Sequence, residues 1–281
     1  MKGAVVIIDA ADRAGRGIVQ AALRANRPVV AVSKDSAELA RLRTESPRAD
    51  LVTIDGSIAN ESSALLAASL GDLGRPIDGI VIATSGVPLG GRILDHSVEK
   101  FQQRLQDDLF PQLAAARSLL PLLTRGGRNG SYVVVGSPGA EHPWAGYSYC
   151  SIAAAAMTML VRVLHEEARA LDVRVHLLAV NRPIRTAENC GCAGEDWPDA
   201  LAVGEQALAL IDRSEPRKAD EAVVPFIPPP RKVRPSRIAA AFAKPNREPS
   251  FSTDYGGQAI LEQTWRALQP ILDSTQKAPD K

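Results

Sequence analysis

The stretch that decides the fold is Ala4-Val5-Val6-Ile7-Ile8, a short run of mostly β-branched residues. A loop of small and charged residues follows at 9–17, and apolar residues then recur at helical spacing over 18–23. This order predicts a strand, a glycine-containing turn and a helix. The prediction gains weight because the same order returns along the chain.

Further apolar strands are predicted at 28–32, 50–54, 77–83, 131–135 and 173–180, and helices at 36–42, 61–70, 97–123, 147–171 and 198–211. Strands that are apolar on both faces and separated by helices favour parallel pairing, with helices covering each face of the sheet. The predicted fold class is α/β, with a doubly wound parallel sheet in a single domain.

The composition changes from about Val223, where prolines at 225 and 228–230 precede a basic cluster that begins at Arg231. We expect a domain over 1–228 and a linker with a helical extension over 229–281, the last helix lying near 259–272. The basic residues of 231–247 are interpreted as a solvated connector; the alternative is an interaction tail that binds a partner or phosphate.

Composition narrows the classes of function. The net charge of +1 lacks the basic excess of a protein held by phosphate backbones, so no nucleic acid partner is expected. Cys150, Cys190 and Cys192 are too few for a disulfide scaffold, which favours a reducing compartment. No signal peptide and no apolar run of ~20 residues stands out, so we expect a cytoplasmic protein without a membrane partner.

Motifs follow the predicted strands. In chain order they are 10–17 with Gly15 and Gly17, Asp55 after the third strand, Ala-Thr-Ser-Gly at 83–86, Asp-Leu-Phe-Pro at 108–111, Gly136-Ser137 after the fifth strand, and Asn-Arg-Pro-Ile-Arg-Thr at 181–186. Over about 3–190 the sequence resembles the short-chain dehydrogenase/reductase family, as a divergent member in which Ala11 replaces the first glycine of the turn. The resemblance implies a Rossmann-like domain that binds a nicotinamide dinucleotide.

The resemblance assigns the dinucleotide to Gly15, Gly17, Ile18, Ser33, Lys34, Asp55, Ala83, Ser85, Gly86, Pro183 and Thr186. An acidic residue after the second strand would reject a ribose 2′-phosphate, whereas a cation accepts it. Lys34, with Arg13 or Arg16, therefore favours NADP over NAD. The alternative is that Lys34 is an ordinary solvated lysine at a strand end.

The resemblance implies that Ser137 and Tyr149 are the catalytic residues. Family members have a lysine four residues after the tyrosine, but Ala153 stands there, so the tyrosine loses the charge that strengthens it as a base. Arg182 or Arg185 is a candidate replacement. Cys190 and Cys192 have no second pair of ligands at zinc spacing, and we expect no metal.

The leading hypothesis is an atypical, NADP-preferring oxidoreductase that moves hydride to or from a small carbonyl or alcohol substrate. Because Ala11, Asp108 and Ala153 all depart from the family pattern, the alternative is a catalytically impaired relative that binds a dinucleotide or another protein. Segments 110–123 and 153–164 are rich in Ala and Leu. The resemblance implies pairing through them, as a homodimer or homotetramer; the alternative is that their composition reflects burial within the monomer.

Overall fold

The sheet of this protein is parallel throughout. A computed structural model describes residues 2–59, 62–83, 90–125, 130–187, 189–191, 193–212 and 220–229. Its strands are β1 (Ala4–Ile8), β2 (Val29–Ser33), β3 (Leu51–Asp55), β4 (Ile77–Ile82), β5 (Ser131–Val135), β6 (Arg174–Ala179) and β7 (Val223–Pro225). They form one seven-stranded sheet in the order β3-β2-β1-β4-β5-β6-β7. The predicted fold class, doubly wound α/β, is confirmed.

Helices cover both faces of the sheet. They are α1 (Arg13–Arg24), α2 (Ser36–Glu45), α3 (Ser62–Asp72), α4 (Val98–Asp108), α5 (Phe110–Thr124), α6 (Ser148–Ala168) and α7 (Ala200–Asp212). Alternate strand residues separate the core into two apolar clusters, because side chains of a strand point to opposite faces. One cluster packs under α3, α5 and α6, and the other under α1, α2 and α7.

Local sequence accounts for several helix boundaries. The side chain of Asp35 accepts a hydrogen bond from the Glu38 amide at 3.0 Å, which caps the start of α2. Ser97 caps α4 in the same way. The predicted helical region 97–123 is divided at Leu109, and α5 resumes with Pro111 in its first turn, where a missing N–H costs no hydrogen bond.

Two further features differ from expectation. β7 extends the parallel sheet at its edge, where the sequence predicted no strand. By length and composition α6 could cross a membrane, but apolar residues such as Val161 and Leu164 pack into the core on the sheet, which accounts for its composition. The predicted helix at 259–272 and the basic cluster lie outside the described residues, and the 228/229 boundary stays a prediction.

Candidate active site

The carboxyl ends of the strands carry the predicted site. β1 and β4 are neighbours, yet the chain leaves them in opposite directions across the sheet, toward β2 and toward β5. Such a switch point opens a crevice at the carboxyl edge, where ligands of open α/β sheets bind. Ala83, Ser137 and Asn181 all follow strands at this edge.

A cavity of about 480 Å³ lies at this edge. Its volume is in the range of small-molecule sites. The lining comes from β5 and β6, from α1, α4, α5 and α6, and from the segments after β5 and after β6. It includes Ala14, Ser137, Trp144, Tyr147, Cys150, Asn181, Pro183 and Trp197. The predicted residues Ser137 and Pro183 are thus brought together in one cavity.

Close packing explains the glycines of the turn. A Cβ on Gly15 would lie 2.1 Å from the Asp9 carbonyl oxygen, and one on Gly17 would lie 2.4 Å from the backbone of Ala200 in α7. Ile18, beside Gly17, is fully buried, so its side chain belongs to the core.

Asp12, the N-cap residue of α1, makes no side-chain capping hydrogen bond. The first-turn amides of α1 therefore lack that cap at the end of a helix where anions bind.

The end of β2 presents Lys34 to solvent, and Lys34 makes no ion pair within the described ranges. Ser33 is buried, and its hydroxyl accepts a hydrogen bond from the Asp35 amide at 3.1 Å. The carboxylate of Asp55 accepts one from the Ser36 hydroxyl at 2.7 Å. Arg16 is held by Glu38 and by Glu45, the latter at 3.0 Å, so its charge is already compensated.

Two other predicted cofactor residues, Ala83 and Thr186, lie after β4 and after β6. Ala83 is buried directly after β4. Thr186 donates its amide to the Asn189 side chain at 2.8 Å, while its Oγ1 is buried and has no hydrogen-bond partner in the described part of the chain. Ser85 and Gly86 lie outside the described residues.

Tyr149, the predicted catalytic tyrosine, is not among the residues that line the cavity. Its side chain is fully buried, 5.6 Å from the ring of Phe101 and 5.2 Å from that of His96 between ring centroids, and it does not line the cavity. Its hydroxyl has no hydrogen-bond partner among the described residues. Tyr147, one residue before α6, lines the cavity instead and stacks on Trp144 at 4.3 Å.

Of the two predicted replacements for the missing lysine, Arg182 has its charge compensated by a carboxylate, whereas Arg185 is held by a backbone carbonyl. Arg182 pairs with Asp196 at 2.7 Å, and Arg185 donates to the Trp197 carbonyl at 3.0 Å. The α6 residues that line the cavity after Cys150 are Ala153, Ala154, Met157 and Thr158, none of which is charged.

Sequence reasoning missed two polar residues that line the cavity, Arg104 and Gln112. They stand one helical turn to either side of Asp108, and this i, i+4 spacing around a recognised motif is the signal that could have found them. Arg104 pairs with Asp108 at 2.6 Å. Burial raises the pKa of Asp108, opposed by the charge and the hydrogen bond of Arg104.

The cysteine pair gives no metal centre in the described part of the chain. Cys190 is exposed, and its Sγ donates a hydrogen bond to the Ala187 carbonyl at 3.1 Å. Within the described ranges, no three His, Cys, Asp or Glu side chains are grouped so that they could hold a metal. Cys192 lies outside those ranges.

Comparison with known proteins places the chain among oxidoreductases. A family model described as enoyl-(acyl carrier protein) reductase matches residues 10–228. No curated protein sequence matches the chain.

Two solved structures with a similar fold are an oxidoreductase of the short-chain dehydrogenase/reductase family from Burkholderia thailandensis and RhlG of Pseudomonas aeruginosa in an active-site complex with NADP. The first has a TM-score of 0.69 and 20% identity, covering 80% of this chain and 91% of that chain. The second has a TM-score of 0.66 and 20% identity, covering 80% and 94%.

A third structure is the NADPH-bound form of a short-chain oxidoreductase from Pseudomonas aeruginosa PAO1 that is described as containing an atypical catalytic center. Its TM-score is 0.68 at 18% identity, with 80% of this chain and 95% of that chain covered. At these identities the likeness to the three structures shows the fold, and the match to the family model shows the family.

Proposed function

Since the chain belongs to the short-chain dehydrogenase/reductase family, we propose that it is an oxidoreductase that interconverts a small carbonyl and its alcohol with a nicotinamide dinucleotide, NADP in preference to NAD. The observation that carries the proposal is the cavity at the carboxyl edge, in which Ser137 and Tyr147 share a lining with Pro183 of the predicted dinucleotide segment. Similar folds that hold NADPH or NADP support the choice of cofactor.

The chain has polar groups that fit a dinucleotide. Thr186 Oγ1 is buried without a partner in the described part of the chain, so a bound carboxamide or phosphate would satisfy it. The α1 N-terminus suits a diphosphate, and Lys34 offers an exposed positive charge for a 2′-phosphate. Asp55 pairs with Ser33, the residue before Lys34, across β2 and β3, where it suits an adenine amino group.

The residues of the cavity divide the chemistry between them. When bound, the nicotinamide ring supplies or accepts the hydride. Ser137 orients the substrate oxygen by a hydrogen bond, and the phenol of Tyr147 gives that oxygen a proton during reduction. Four residues after Tyr147 stands Ser151, whose hydroxyl donates to the Tyr147 carbonyl at 3.0 Å, and α6 has no lysine whose ammonium group could stabilise a phenolate. The proposed direction is therefore reduction, because a neutral phenol is already a proton donor.

The test is a titration with NADPH and with NADH, followed by nicotinamide fluorescence. We expect NADPH to bind more tightly, and Lys34→Ala to weaken NADPH binding about tenfold with little effect on NADH, because one charge-assisted contact is lost. Lys2→Ala is the matched control, since Lys2 is an exposed lysine before β1, at the opposite edge of the sheet. If neither nucleotide binds, the proposed function is wrong. Equal affinity for the two refutes the NADP preference alone.

A further inference from the structure

One part of the cavity wall has no role in the chemistry proposed above. We define the inner wall as Gln112 of α5, Val134 of β5, Ala153 and Ala154 of α6, and Leu177 of β6. Each of these is at most 6% exposed, and each lines the cavity. The inner wall lies on the face of the sheet that α5 and α6 cover.

The side chains of the inner wall are apolar except for Gln112. Its Oε1 is buried and has no hydrogen-bond partner among the residues that the structure describes. A buried carbonyl oxygen left unpaired costs about 1–3 kcal/mol, and native proteins pair nearly all such groups with protein, water or ligand. Gln112 Oε1 can therefore accept a hydrogen bond from a donor outside the described residues.

Three other polar side chains of the lining have partners already. Arg104 pairs with Asp108 at 2.6 Å, and Asn189 donates to the Ile184 carbonyl at 2.9 Å. The Thr158 hydroxyl donates to the Ala154 carbonyl at 2.9 Å. Gln112 thus differs from these neighbours, because its acceptor remains available to a molecule in the cavity.

The two alanines create the space. A long side chain at 153 or 154 would extend into the cavity, whereas a methyl group at each position leaves room between α6 and the strands. Val134, Leu177 and Met157 give that room an apolar lining. An apolar group of a ligand would be desolvated here at a gain that grows with its buried area.

We propose that the inner wall is a substrate subsite for an apolar group that ends in a hydrogen-bond donor, a hydroxyl or an amide N–H, which Gln112 Oε1 accepts. The inference rests on the proposed function, since the reacting carbonyl of the same molecule would lie at Ser137 and Tyr147. It adds a substrate class: carbonyl compounds that carry a second, donor-bearing polar group beyond an apolar spacer. A site built around such an acceptor discriminates against analogues that lack the donor.

The experiment measures binding of three ketones, octan-2-one, 8-hydroxyoctan-2-one and 8-methoxyoctan-2-one. Binding is followed by quenching of tryptophan fluorescence, because Trp144 and Trp197 line the cavity, so no turnover is needed. The proteins are the full-length wild type, Gln112→Met, Ala154→Leu and Ala155→Leu. The last is the matched control, since Ala155 is the exposed neighbour of Ala154 on α6. Circular dichroism verifies that each variant is folded.

We expect the wild type to bind the hydroxyketone roughly tenfold more tightly than either other ketone. Gln112→Met should remove that preference, because it keeps the volume but not the acceptor. Ala154→Leu should weaken all three ketones at least tenfold, and Ala155→Leu should leave them unchanged. Ala154→Leu keeps the inference testable even if Gln112→Met fails to fold.

Several results would overturn the subsite. These are equal affinity for the hydroxy and methoxy ketones, an unchanged preference in Gln112→Met, an unchanged affinity in Ala154→Leu, or no binding of any ketone. NADPH oxidation in the presence of the same ketones separates this inference from the proposed function. Gln112-dependent binding without turnover supports the subsite and contradicts the function, whereas turnover without any preference for the hydroxyl does the reverse.

Discussion

Tyr147 and Tyr149 are two residues apart but have different surroundings. Tyr147 lines the cavity, whereas Tyr149 is buried against Phe101 and His96. We expect Tyr147→Phe to lower kcat for NADPH-dependent ketone reduction about a hundredfold or more, because the proton donor is removed. Tyr149→Phe should leave kcat nearly unchanged and should not lower the melting temperature, because it deletes a buried hydroxyl that has no partner in the described structure.

Steady-state kinetics and thermal unfolding of the two variants decide the assignment. Each variant serves as the control for the other, since both remove one oxygen atom from neighbouring tyrosines. A large loss of kcat in Tyr149→Phe together with a normal Tyr147→Phe would return the catalytic role to the residue that the sequence predicted.

The positions of individual side chains were harder to predict from the sequence than the strands and helices. Ser137 and Pro183 follow strands, so their place at the carboxyl edge could be predicted from the strand boundaries alone. The burial of Tyr149 could not be predicted, because each residue of a helix turns by about 100°, and a shift of one or two residues selects another face. The i, i+4 spacing of Gln112 from Asp108 relates the two residues, but whether the Gln112 side chain lines a cavity depends on packing between α5, α6 and the sheet.

At the scale of elements, two buried histidines join α6 to β6 and β6 to the segment before β7. His165 Nδ1 is hydrogen-bonded to the Val175 carbonyl at 2.7 Å, and His176 Nδ1 to the Glu221 carbonyl at 2.8 Å. Burial lowers the pKa of His176 to about 4; its hydrogen bond to the Glu221 carbonyl opposes the shift, and the positive charge of Arg174 adds to it.

This lowered pKa predicts a loss of stability in mild acid. Between the ordinary pKa of about 6.5 and the folded value of about 4, the unfolded chain binds a proton that folded His176 does not, so the stabilisation is complete above pH 6.5 and falls as pH drops. We expect His176 to account for a decrease of about 2 kcal/mol in the free energy of unfolding between pH 7 and pH 5.

Urea denaturation of the wild type and of His176→Asn at pH 7 and pH 5 measures how much His176 contributes to the change in the free energy of unfolding. The variant should be less stable at pH 7 but should lose about 2 kcal/mol less than the wild type on acidification. Equal losses in the two proteins would show that His176 does not carry the pH dependence.

Most elements could be predicted from the sequence because their patterns are local. β1 and β5 have the predicted bounds, since each is a short apolar run between turn residues. β7 escaped prediction because it has only three residues, one of them Pro225, and forms by pairing with the edge of β6. A proline is compatible with an edge strand but counts against a strand in any pattern read locally.

For the whole molecule, α5 and α6 leave apolar side chains exposed. Phe110 and Leu113 of α5 are 47% and 43% exposed, and Ile152, Met159 and Val163 of α6 are 40%, 56% and 46% exposed. Within each helix these residues are spaced so that they share a face. This composition supports the homodimer or homotetramer that the family resemblance implies, with these helices at the interface.

Light scattering coupled to gel filtration tests the assembly. We expect the double variant Met159→Glu, Val163→Glu to shift the wild-type oligomer toward the mass of one chain, because two charges would have to be desolvated in the interface. Leu65→Glu is the control, since Leu65 is 73% exposed and belongs to α3 rather than to α5 or α6. A wild type that runs as a single chain at micromolar concentrations contradicts the expectation.

The contact between α1 and α7 has a consequence for how such a protein can diverge. A Cβ on Gly204 would lie 2.7 Å from Ile18 Cα, and one on Gly17 would meet Ala200, so the two helices touch by their backbones. The segment between β6 and α7 is therefore fixed at both ends, and Arg185 and Ala200 are also joined by a hydrogen bond of 3.1 Å. Substitutions in the part of that segment after Thr186, such as at Trp197, can reshape the cavity while the glycine turn keeps its position, so new substrates become accessible to selection without a new cofactor site.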